Sequence, residues 1–199
     1  MVNSRRNLKK NYQHLKEQEP YWPNNSIYFL TDSTFLHFPY FNNSAKKQIV
    51  LNQIIKINKK LGIPISDYSI AINHYHLKFY LQNGLDLCKA KQLLRGGISY
   101  EFRKRYNVPY KDMWQTRKII VVFSEKANWR ITGYIIGNLL KHKEVSTFRD
   151  LRNNKFSSYW YIADKYGERV AKELVYRVID VDESADNELD MEELININV

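Results

Sequence analysis

The sequence predicts an α+β fold in which a split β-α-β-β-α-β core forms an antiparallel sheet and carries one extra helix. Segments rich in β-branched and aromatic residues alternate with long segments whose apolar residues recur at helical spacing. One strand pattern, at residues 71–81, alternates polar and apolar side chains. A further amphipathic segment follows the last strand, beyond what a ferredoxin-like core needs.

The first strand and the first helix have clear boundaries in the sequence. The segment Ser26–Phe38 is rich in apolar and aromatic residues and predicts a strand, bulged near Asp32. A helix is predicted next over Ser44–Leu61, with Asn43 as a good N-cap. Gly62 is expected to end it. The apolar stripe of this helix predicts a place in the core.

Two hydrophobic stretches follow, Ile65–Ile72 and Tyr75–Leu81. They are either two strands joined by a turn at Asn73 or one long bent strand. The next helix is predicted over Asp86–Tyr106 and contains the pair Gly96–Gly97. These glycines indicate either a break between two short helices or a close approach of the backbone to a ligand.

The strand at residues 71–81 places two histidines on one face. Because side chains alternate along a strand, His74, His76 and Lys78 point one way and the apolar residues point the other way. Two imidazoles at this spacing stand roughly 6.5 Å apart along the strand, close enough to share one ion. A metal site and a half-exposed pair of histidines without a role are both compatible with this segment. The apolar side must face the two crossover helices, so the histidines are expected on the open face, where the extra helix can dock.

The last strand is predicted within Met113–Phe123, whose apolar run has a buried-strand signature. Ser124 is a plausible N-cap for the extra helix, which is predicted to end near Lys143. Tyr134 and Asn138 lie four residues apart and share a face opposite the apolar stripe. A tyrosine there is either an ordinary surface residue or a reactive group, and helical geometry alone favours the surface residue. The apolar stripe consists of Trp129, Thr132, Ile135, Ile136, Leu139 and Leu140.

The C-terminal part begins with a dense group of aromatic residues between Asn153 and Tyr166. A short helix is predicted after it, over Glu168–Val178. Residues 180–193 are acidic and polar and are expected to be loose, while Met191–Val199 could dock on the core.

The charge of the chain is unevenly distributed. The formal net charge is +10, yet eight of the 21 acidic side chains follow Arg177 and no Lys or Arg does. The first 177 residues therefore carry 31 basic and 13 acidic side chains, a net charge of +18. A basic body of this size favours a polyanion such as nucleic acid as the partner.

Cysteine usage and hydropathy exclude several classes of protein. The only cysteine, Cys88, excludes disulfide frameworks and cysteine zinc sites and fits a reducing compartment. The first ten residues contain no apolar run, which argues against a signal peptide. No stretch approaches the roughly 20 apolar residues of a membrane helix.

Five short motifs occur along the chain in a fixed order: Asn73–Leu77, the basic helix Gln92–Arg105, Met113–Gln115, Tyr134–Asn138 and Ser157–Tyr159. Together they resemble the motifs of the single-tyrosine HUH transposases, in particular the REP-associated tyrosine transposases. The match covers roughly residues 26–160 in the right order, which is more specific than any one motif. The family usually has Met-Pro before the Asn-His pair, where this chain has Ala71-Ile72. It usually has Asn-Pro after the tyrosine, where this chain has Asn138-Leu139.

The resemblance implies a reaction. His74 and His76 would hold a divalent cation, Mg²⁺ or Mn²⁺, and Asn138 would complete the protein ligands. The cation would polarise the scissile phosphate of single-stranded DNA. Tyr134 would attack the phosphorus and give a 5′-phosphotyrosine and a free 3′-OH. The same step in reverse would rejoin strands without an external energy source.

The resemblance also implies hairpin DNA as the partner, a homodimer, and a cytoplasmic, nucleoid-associated place in a bacterium. It divides the chain into a basic N-terminal arm (residues 1–25), a catalytic domain (26–145) and a C-terminal extension (146–199). The basic residues expected to contact DNA are Lys78, Arg95, Arg103, Lys104, Arg105, Arg117, Lys118, Arg130 and Lys141.

Three other functions compete with the transposase. A domesticated relative would bind hairpin DNA and cut nothing, although all three presumed chemical groups are present. A relaxase would carry a second tyrosine or a lysine one turn along the helix, where this chain has Gly137 and Asn138. A zinc hydrolase lacks a third His, Asp or Glu at ligand spacing in the sequence.

Overall fold

The computed structural model describes residues 22–108, 113–115 and 118–179, and the backbone of 183–184 and 188–189. Strands and helices alternate in the order the sequence predicts, followed by three further helices. The elements are β1 (Ser26–Ser33), α1 (Ser44–Leu61), β2 (Ile65–Ile70), β3 (His74–Leu81), α2 (Asp86–Tyr106), β4 (Lys118–Val122), α3 (Glu125–Lys141), α4 (Phe148–Arg152), α5 (Tyr159–Tyr166) and α6 (Glu168–Tyr176).

The four strands form one antiparallel sheet in the order β2-β3-β1-β4. Helices α1 and α2 pack against each other on one face, over the apolar side chains of β1 and β3. Helix α3 lies on the opposite face, against β2 and β3. The α+β class and the split β-α-β-β-α-β core are therefore confirmed, with α3 as the extra helix.

Helix α1 has the predicted boundaries because both ends are capped. The side chain of Asn43 accepts a hydrogen bond from the backbone N–H of Lys46 at 3.0 Å. Gly62 ends the helix with φ of 64°, a left-handed conformation in which glycine has no Cβ penalty.

Strand β1 is shorter than the sequence predicts. It ends at Ser33, and a 3₁₀ turn over Phe35–His37 follows in place of more strand. The hydroxyl of Thr34 donates hydrogen bonds to the carbonyls of Phe38 and Asn73 and holds this turn closed. Leu36 has φ of 50°, which is incompatible with an extended chain. The sequence predicts a longer strand because apolar residues continue beyond Ser33, and an apolar pattern does not show where strand pairing ends.

The stretch from Ile65 to Leu81 forms two strands and not one bent strand. The backbone N–H of Ala71 donates to the carbonyl of His74 at 2.9 Å and closes the turn between them. The pairing of Ser69 with His76 then fixes the register of β2 against β3. Strand β3 keeps the side-chain alternation on which the site depends, whereas β2 has a register shift between Ile65 and Asp67.

The pair Gly96–Gly97 does not break α2, and Gly97 lies against α1. Helix α2 is continuous across both glycines. A Cβ at position 97 would collide with the side-chain amide of Gln53 in α1. The close approach at Gly97 is therefore one between two packed helices.

The last strand is half-buried and lies at the sheet edge, which corrects its prediction as a buried strand. All five of its residues are partly exposed, and Phe123 beyond its end is 86% exposed. An edge strand has a neighbour on one side only, so a run of apolar residues there does not become fully buried.

Helices α4 to α6 pack on α3 and extend the main hydrophobic core. Leu151, Tyr159 and Val175 belong to the same buried cluster as the sheet residues. A Cβ at Gly133 or Gly137 would meet α6, so these glycines let α6 approach α3 closely. None of the helices in the described segments is both long and apolar enough to cross a membrane.

The acidic tail is only partly described. The four described residues after position 179 form a short antiparallel pair, β5 (Glu183–Ser184) with β6 (Glu188–Leu189), where the sequence predicts a loose segment. Met191–Val199 and residues 1–21 lie outside the described residues.

Candidate active site

The two histidines lie between β3 and α3. They face α3 because β3 alternates, whereas Tyr75 and Leu77 face the core under α1 and α2. His74 is 7% exposed and His76 is 2% exposed. The sheet face expected to be open is therefore covered by α3, which docks where the sequence analysis placed it.

Helix α3 is fixed over the histidines by two serines. The side chain of Ser124 accepts a hydrogen bond from the backbone N–H of Ala127 at 3.1 Å and begins the helix. The hydroxyl of Ser157 donates to the carbonyl of Ile136 at 3.0 Å. The segment around Ser157 also pairs with Ser69 in β2. The Ser-Ser-Tyr motif thus ties α3 to the sheet edge.

His76 is held in one tautomer. Its Nδ1 lies 2.9 Å from the hydroxyl of Thr31, and the side-chain N–H of Asn138 donates to its Nε2 at 3.1 Å. A ring nitrogen that accepts cannot carry the proton, so Nδ1 carries it and Nε2 presents a lone pair. Burial, and repulsion by the positive charges of His74, His142 and Lys141, hold the pKa of His76 well below its usual value.

His74 presents its second nitrogen to the same carboxamide. Its Nδ1 lies 2.7 Å from Oδ1 of Asn73, whose side-chain N–H donates to the carbonyl of His37. That bond orients the Asn73 oxygen toward the ring, so Nδ1 of His74 donates. Nε2 then faces Oδ1 of Asn138 at 3.2 Å. When the imidazole is neutral, the lone pair of Nε2 faces a lone pair of the Asn138 oxygen. A cation or a second proton between the two atoms would remove this repulsion.

Tyr134 lies beside this cluster, and its burial overturns the favoured prediction of a surface tyrosine. Its ring is 3% exposed and lies edge-on to His76, with 5.0 Å between ring centroids. Phe29 contacts both rings from the sheet. The prediction failed because α3 is covered on two sides. The sheet packs on one side, and α6 packs on the other together with Val178 in the turn that follows it. Helical periodicity shows one apolar face and cannot show a second layer.

Two residues of the site were not predicted from the sequence. His142, at the C-terminal cap of α3, has its ring 4.8 Å from that of His74. Its position four residues after Asn138 on the same helix face was the available signal. Thr31, which bonds His76, could not be found without the pairing of β1 with β3.

The donor set around Asn138 suits a hard or borderline divalent cation. Two imidazole nitrogens and one carboxamide oxygen converge there, and two of these atoms already face each other with lone pairs. In the described part of the chain no three His, Cys, Asp or Glu side chains are arranged to hold a metal ion. The predicted ligand set contains only two such residues, so the carboxamide would have to supply the third ligand atom.

Lys78 shares the face of the histidines but lies in a closed ion pair. Its ammonium contacts the carboxylate of Asp67 at 2.6 Å and also the hydroxyl of Thr132, and its side chain is 5% exposed. A buried ammonium that a carboxylate neutralises has no surface on which to bind a phosphate. The expectation that Lys78 contacts DNA does not fit this position.

Arg95 is also engaged inside the protein. It pairs with Asp32, donates to the carbonyl of Gln115 at 2.5 Å and stacks on the ring of Trp114. The backbone N–H of Gln115 donates in turn to Ser33 at the end of β1. Together, the Trp-Gln motif and Arg95 hold the end of β1, the strand that carries Thr31. Arg95 therefore has a structural role in this position and is not an exposed DNA contact.

The other basic residues predicted to bind DNA lie nearer the surface. Those at the end of α2 are exposed, whereas those on β4 and α3 are half-buried. Arg117 lies outside the described residues. The exposed residues are Arg103, Lys104 and Arg105, and the half-buried ones are Lys118, Arg130 and Lys141.

No family model matches the chain, and no curated protein matches it. Among solved structures the chain is similar to a REP-associated tyrosine transposase bound to a REP hairpin, with a TM-score of 0.63 and 16% sequence identity. That similarity covers 78% of this chain and 90% of the other. A candidate transposase from Deinococcus radiodurans is similar with a TM-score of 0.44 and 13% identity, over 60% of this chain and 95% of the other. The fold of the chain is thus that of a tyrosine transposase, and the resemblance seen in the motifs is confirmed at the level of structure.

Proposed function

We propose that the protein is a transposase that cleaves and rejoins single-stranded DNA through a covalent bond to Tyr134. One observation carries this proposal: the carboxamide of Asn138 joins Nε2 of His74 and of His76, with the Tyr134 ring against His76. These are the groups that the motifs predict for the chemistry, brought together from β3 and α3.

The reaction exchanges one phosphodiester for another. The phenol oxygen of Tyr134 bonds to phosphorus, the bond from phosphorus to the 3′ oxygen breaks, and the departing oxygen takes up a proton. The products are a 5′-phosphotyrosine and a free 3′-OH. No net hydrolysis occurs, so the 3′-OH can attack the phosphotyrosine and restore a DNA strand.

His74, His76 and Asn138 are the residues that would hold a divalent cation, Mg²⁺ or Mn²⁺. Bound there, it would neutralise charge on the phosphate. Burial keeps His76 neutral at physiological pH, which leaves its Nε2 lone pair available as a ligand. Asn138 bonds both imidazoles and would turn its oxygen toward the same point.

We propose that the protein binds hairpin DNA and that it does so as a homodimer. The net charge of +18 over residues 1–177 supports a polyanion, and the exposed Arg103, Lys104 and Arg105 are the first candidates for phosphate contacts. In this proposal residues 1–25 are a basic arm, 26–145 the catalytic domain and 146–199 an extension.

Covalent capture tests the proposal. Wild-type protein is incubated with end-labelled hairpin DNA and Mn²⁺ and separated on a denaturing gel. We expect a protein–DNA adduct that maps by peptide mass to the α3 peptide containing Tyr134. Tyr134→Phe removes one oxygen and keeps the ring, so the adduct should disappear while DNA affinity stays the same.

The control is Tyr75→Phe, which also removes one phenol oxygen, from the other face of the sheet. It should form the adduct at the wild-type yield once folded. An undiminished adduct in Tyr134→Phe, or one that maps to another tyrosine, overturns the assignment.

Salt dependence tests the DNA surface separately. Phosphate contacts release counterions, so log affinity should fall linearly with log salt, by about one power of ten per decade for each contact. Measured by fluorescence anisotropy on a hairpin, a flat plot would contradict polyanion binding. Arg103→Ala and Lys104→Ala should each make the slope shallower by about one.

A hairpin-binding protein that does not cut is the second candidate. The burial of Tyr134 favours it, since a phenol that is 3% exposed has no open path to DNA. DNA binding without any adduct in the capture experiment would establish this candidate.

A further inference from the structure

A second polar site lies beside the histidine cluster, in an open cavity of about 420 Å³ at the β2 edge of the sheet. The cavity is bounded by β2, β3, α3 and α5. This volume is within the range of small-ligand sites. Its lining includes three polar and three aromatic side chains, which are Asp67, Lys78, Asn128, Trp129, Tyr161 and Tyr166.

Two hydrogen-bond acceptors in this lining are buried without a partner in the described part of the chain. One is Oδ1 of Asp67, a residue that is 1% exposed, and the other is Oδ1 of Asn128. The second oxygen of Asp67 is engaged, because it pairs with Lys78 and accepts from the hydroxyl of Thr132 at 3.2 Å. A buried acceptor without a donor is costly, so the cavity is complementary to a ligand that brings N–H donors.

The same cavity has aromatic walls. Trp129 and Tyr166 meet edge to face with 5.2 Å between ring centroids, and Tyr161 lies on the α5 side. The ammonium of Lys165 lies over the rings of both Tyr161 and Tyr166. Aromatic rings with a nearby cation bind flat, unstacked bases next to a phosphate.

The position of the cavity connects it to the proposed active site. Lys78 follows His76 by two residues on the same face of β3, about 6.5 Å along the strand. Thr132 and Asn128 lie on α3, upstream of Tyr134 and on the same helix. A strand of DNA whose scissile phosphate lay at the histidines could place a neighbouring base at the cavity.

We propose that this cavity binds one unstacked nucleobase of the DNA strand, next to the cleavage position, and that the base is guanine. Guanine presents two adjacent N–H groups, N1–H and the 2-amino group, on one edge, and the two unpartnered acceptors belong to Asp67 and Asn128, which both line the cavity. Adenine and cytosine offer one amino group on that edge, and thymine offers one N–H. This inference depends on one part of the proposed function, namely that single-stranded DNA is the ligand.

Base preference in binding tests this site without any cleavage. Full-length protein in EDTA is titrated with a labelled oligothymidylate of about a dozen nucleotides that carries one central deoxyguanosine. Matched strands carry deoxyadenosine, deoxycytidine, thymidine or deoxyinosine, which lacks the 2-amino group. We expect the deoxyguanosine strand to bind about tenfold more tightly than the thymidine strand, and deoxyinosine to lose part of that gain.

Asn128→Ala removes one of the two acceptors, and its backbone carbonyl keeps its bonds to Lys78 and Thr132. Alanine favours helix, so α3 should stay folded. The guanine preference should fall about three- to tenfold in Asn128→Ala and persist in Asn128→Asp, which keeps an acceptor. Asn52→Ala, an exposed helical position on α1, is the matched control and should leave the preference unchanged.

Equal binding of all five strands, or no binding of any, overturns this inference. So does a guanine preference that Asn128→Ala leaves intact. Equal binding together with a Tyr134 adduct leaves the proposed function standing. Conversely, a guanine preference that depends on Asn128, without any adduct, supports the base site and refutes the strand-transfer reaction.

Discussion

The two faces of strand β3 carry different kinds of side chain and serve different ends. One face buries Tyr75, Leu77 and Phe79 in the main core under α1 and α2. The other holds His74, His76 and Lys78 under α3, where they contact Asn138, the ring of Tyr134 and Thr132. Both faces are buried to a similar degree, so burial does not distinguish them. The two faces differ in the chemistry of the side chains that they contact. Because side chains alternate along the strand, the residues that stabilise the core and the residues proposed for function lie on separate faces.

The polar face is itself divided in two. Lys78 is a buried charge compensated by Asp67, which makes its half of the face electrically neutral. The histidines hydrogen-bond to neutral groups, namely Thr31, Asn73 and the carboxamide of Asn138. Their nitrogens therefore keep lone pairs that a cation can use, whereas the ammonium of Lys78 has none.

The largest expected effect is on the histidine face. His74→Ala and His76→Ala each remove one of the three proposed ligand atoms, so Mn²⁺-dependent cleavage of hairpin DNA should fall by about 10²- to 10³-fold or more. Hairpin affinity should stay near wild type, because neither side chain is on the exposed surface. Cleavage is measured on denaturing gels, and Mn²⁺ affinity by calorimetry without DNA. A variant that cuts at the wild-type rate shows that the histidines do not hold the cation.

The apolar face should respond in the opposite way. Leu77 lies between the two key positions His76 and Lys78 and is fully buried in the core. Leu77→Ala should lower the free energy of unfolding by about 2–5 kcal/mol through lost burial and a cavity. Urea denaturation measures this loss. At low temperature the folded fraction should still form the Tyr134 adduct, and a folded but inactive variant would show that the two faces are coupled.

The smallest expected effect is a pH dependence of stability. The folded protein holds the pKa of His76 well below 6.5, the ordinary value that the unfolded chain keeps. Below about pH 6.5 the unfolded chain therefore binds a proton that the folded protein does not, and stability falls as the pH falls. The loss should approach about 1.4 kcal/mol per pH unit from this group and vanish above pH 7.

His76→Asn isolates this contribution because asparagine does not titrate. The unfolding free energy of each protein is measured in urea and EDTA at neutral and mildly acidic pH. The wild type should lose more stability on acidification than His76→Asn does. Parallel losses would mean that His76 is not held neutral by the fold.

Several features of the fold and site were predictable because they depend on residues close together in sequence. The boundaries of α1 follow from the cap at Asn43 and from Gly62. The alternation in β3 places His74 and His76 together, and the four-residue spacing of Tyr134 and Asn138 places them on neighbouring turns of α3. The end of β1 was mispredicted because the bonds of Thr34 to the distant Asn73 stop the strand.

The amino-acid sequence by itself determined the order of elements, the basic body and the two faces of β3. The set of four polar residues proposed for catalysis came from the resemblance of its motifs to a known family. Periodicity and composition are local properties, and each can be read from a few consecutive residues. Only the tertiary structure decided that Tyr134 is buried, that Lys78 and Arg95 are paired inside, and that His142 and Thr31 join the site. Those outcomes depend on which surfaces of different elements meet, and α6 covers α3 because Gly133 and Gly137 let the two helices approach. A contact between residues forty or more positions apart leaves no periodic signal in a single chain.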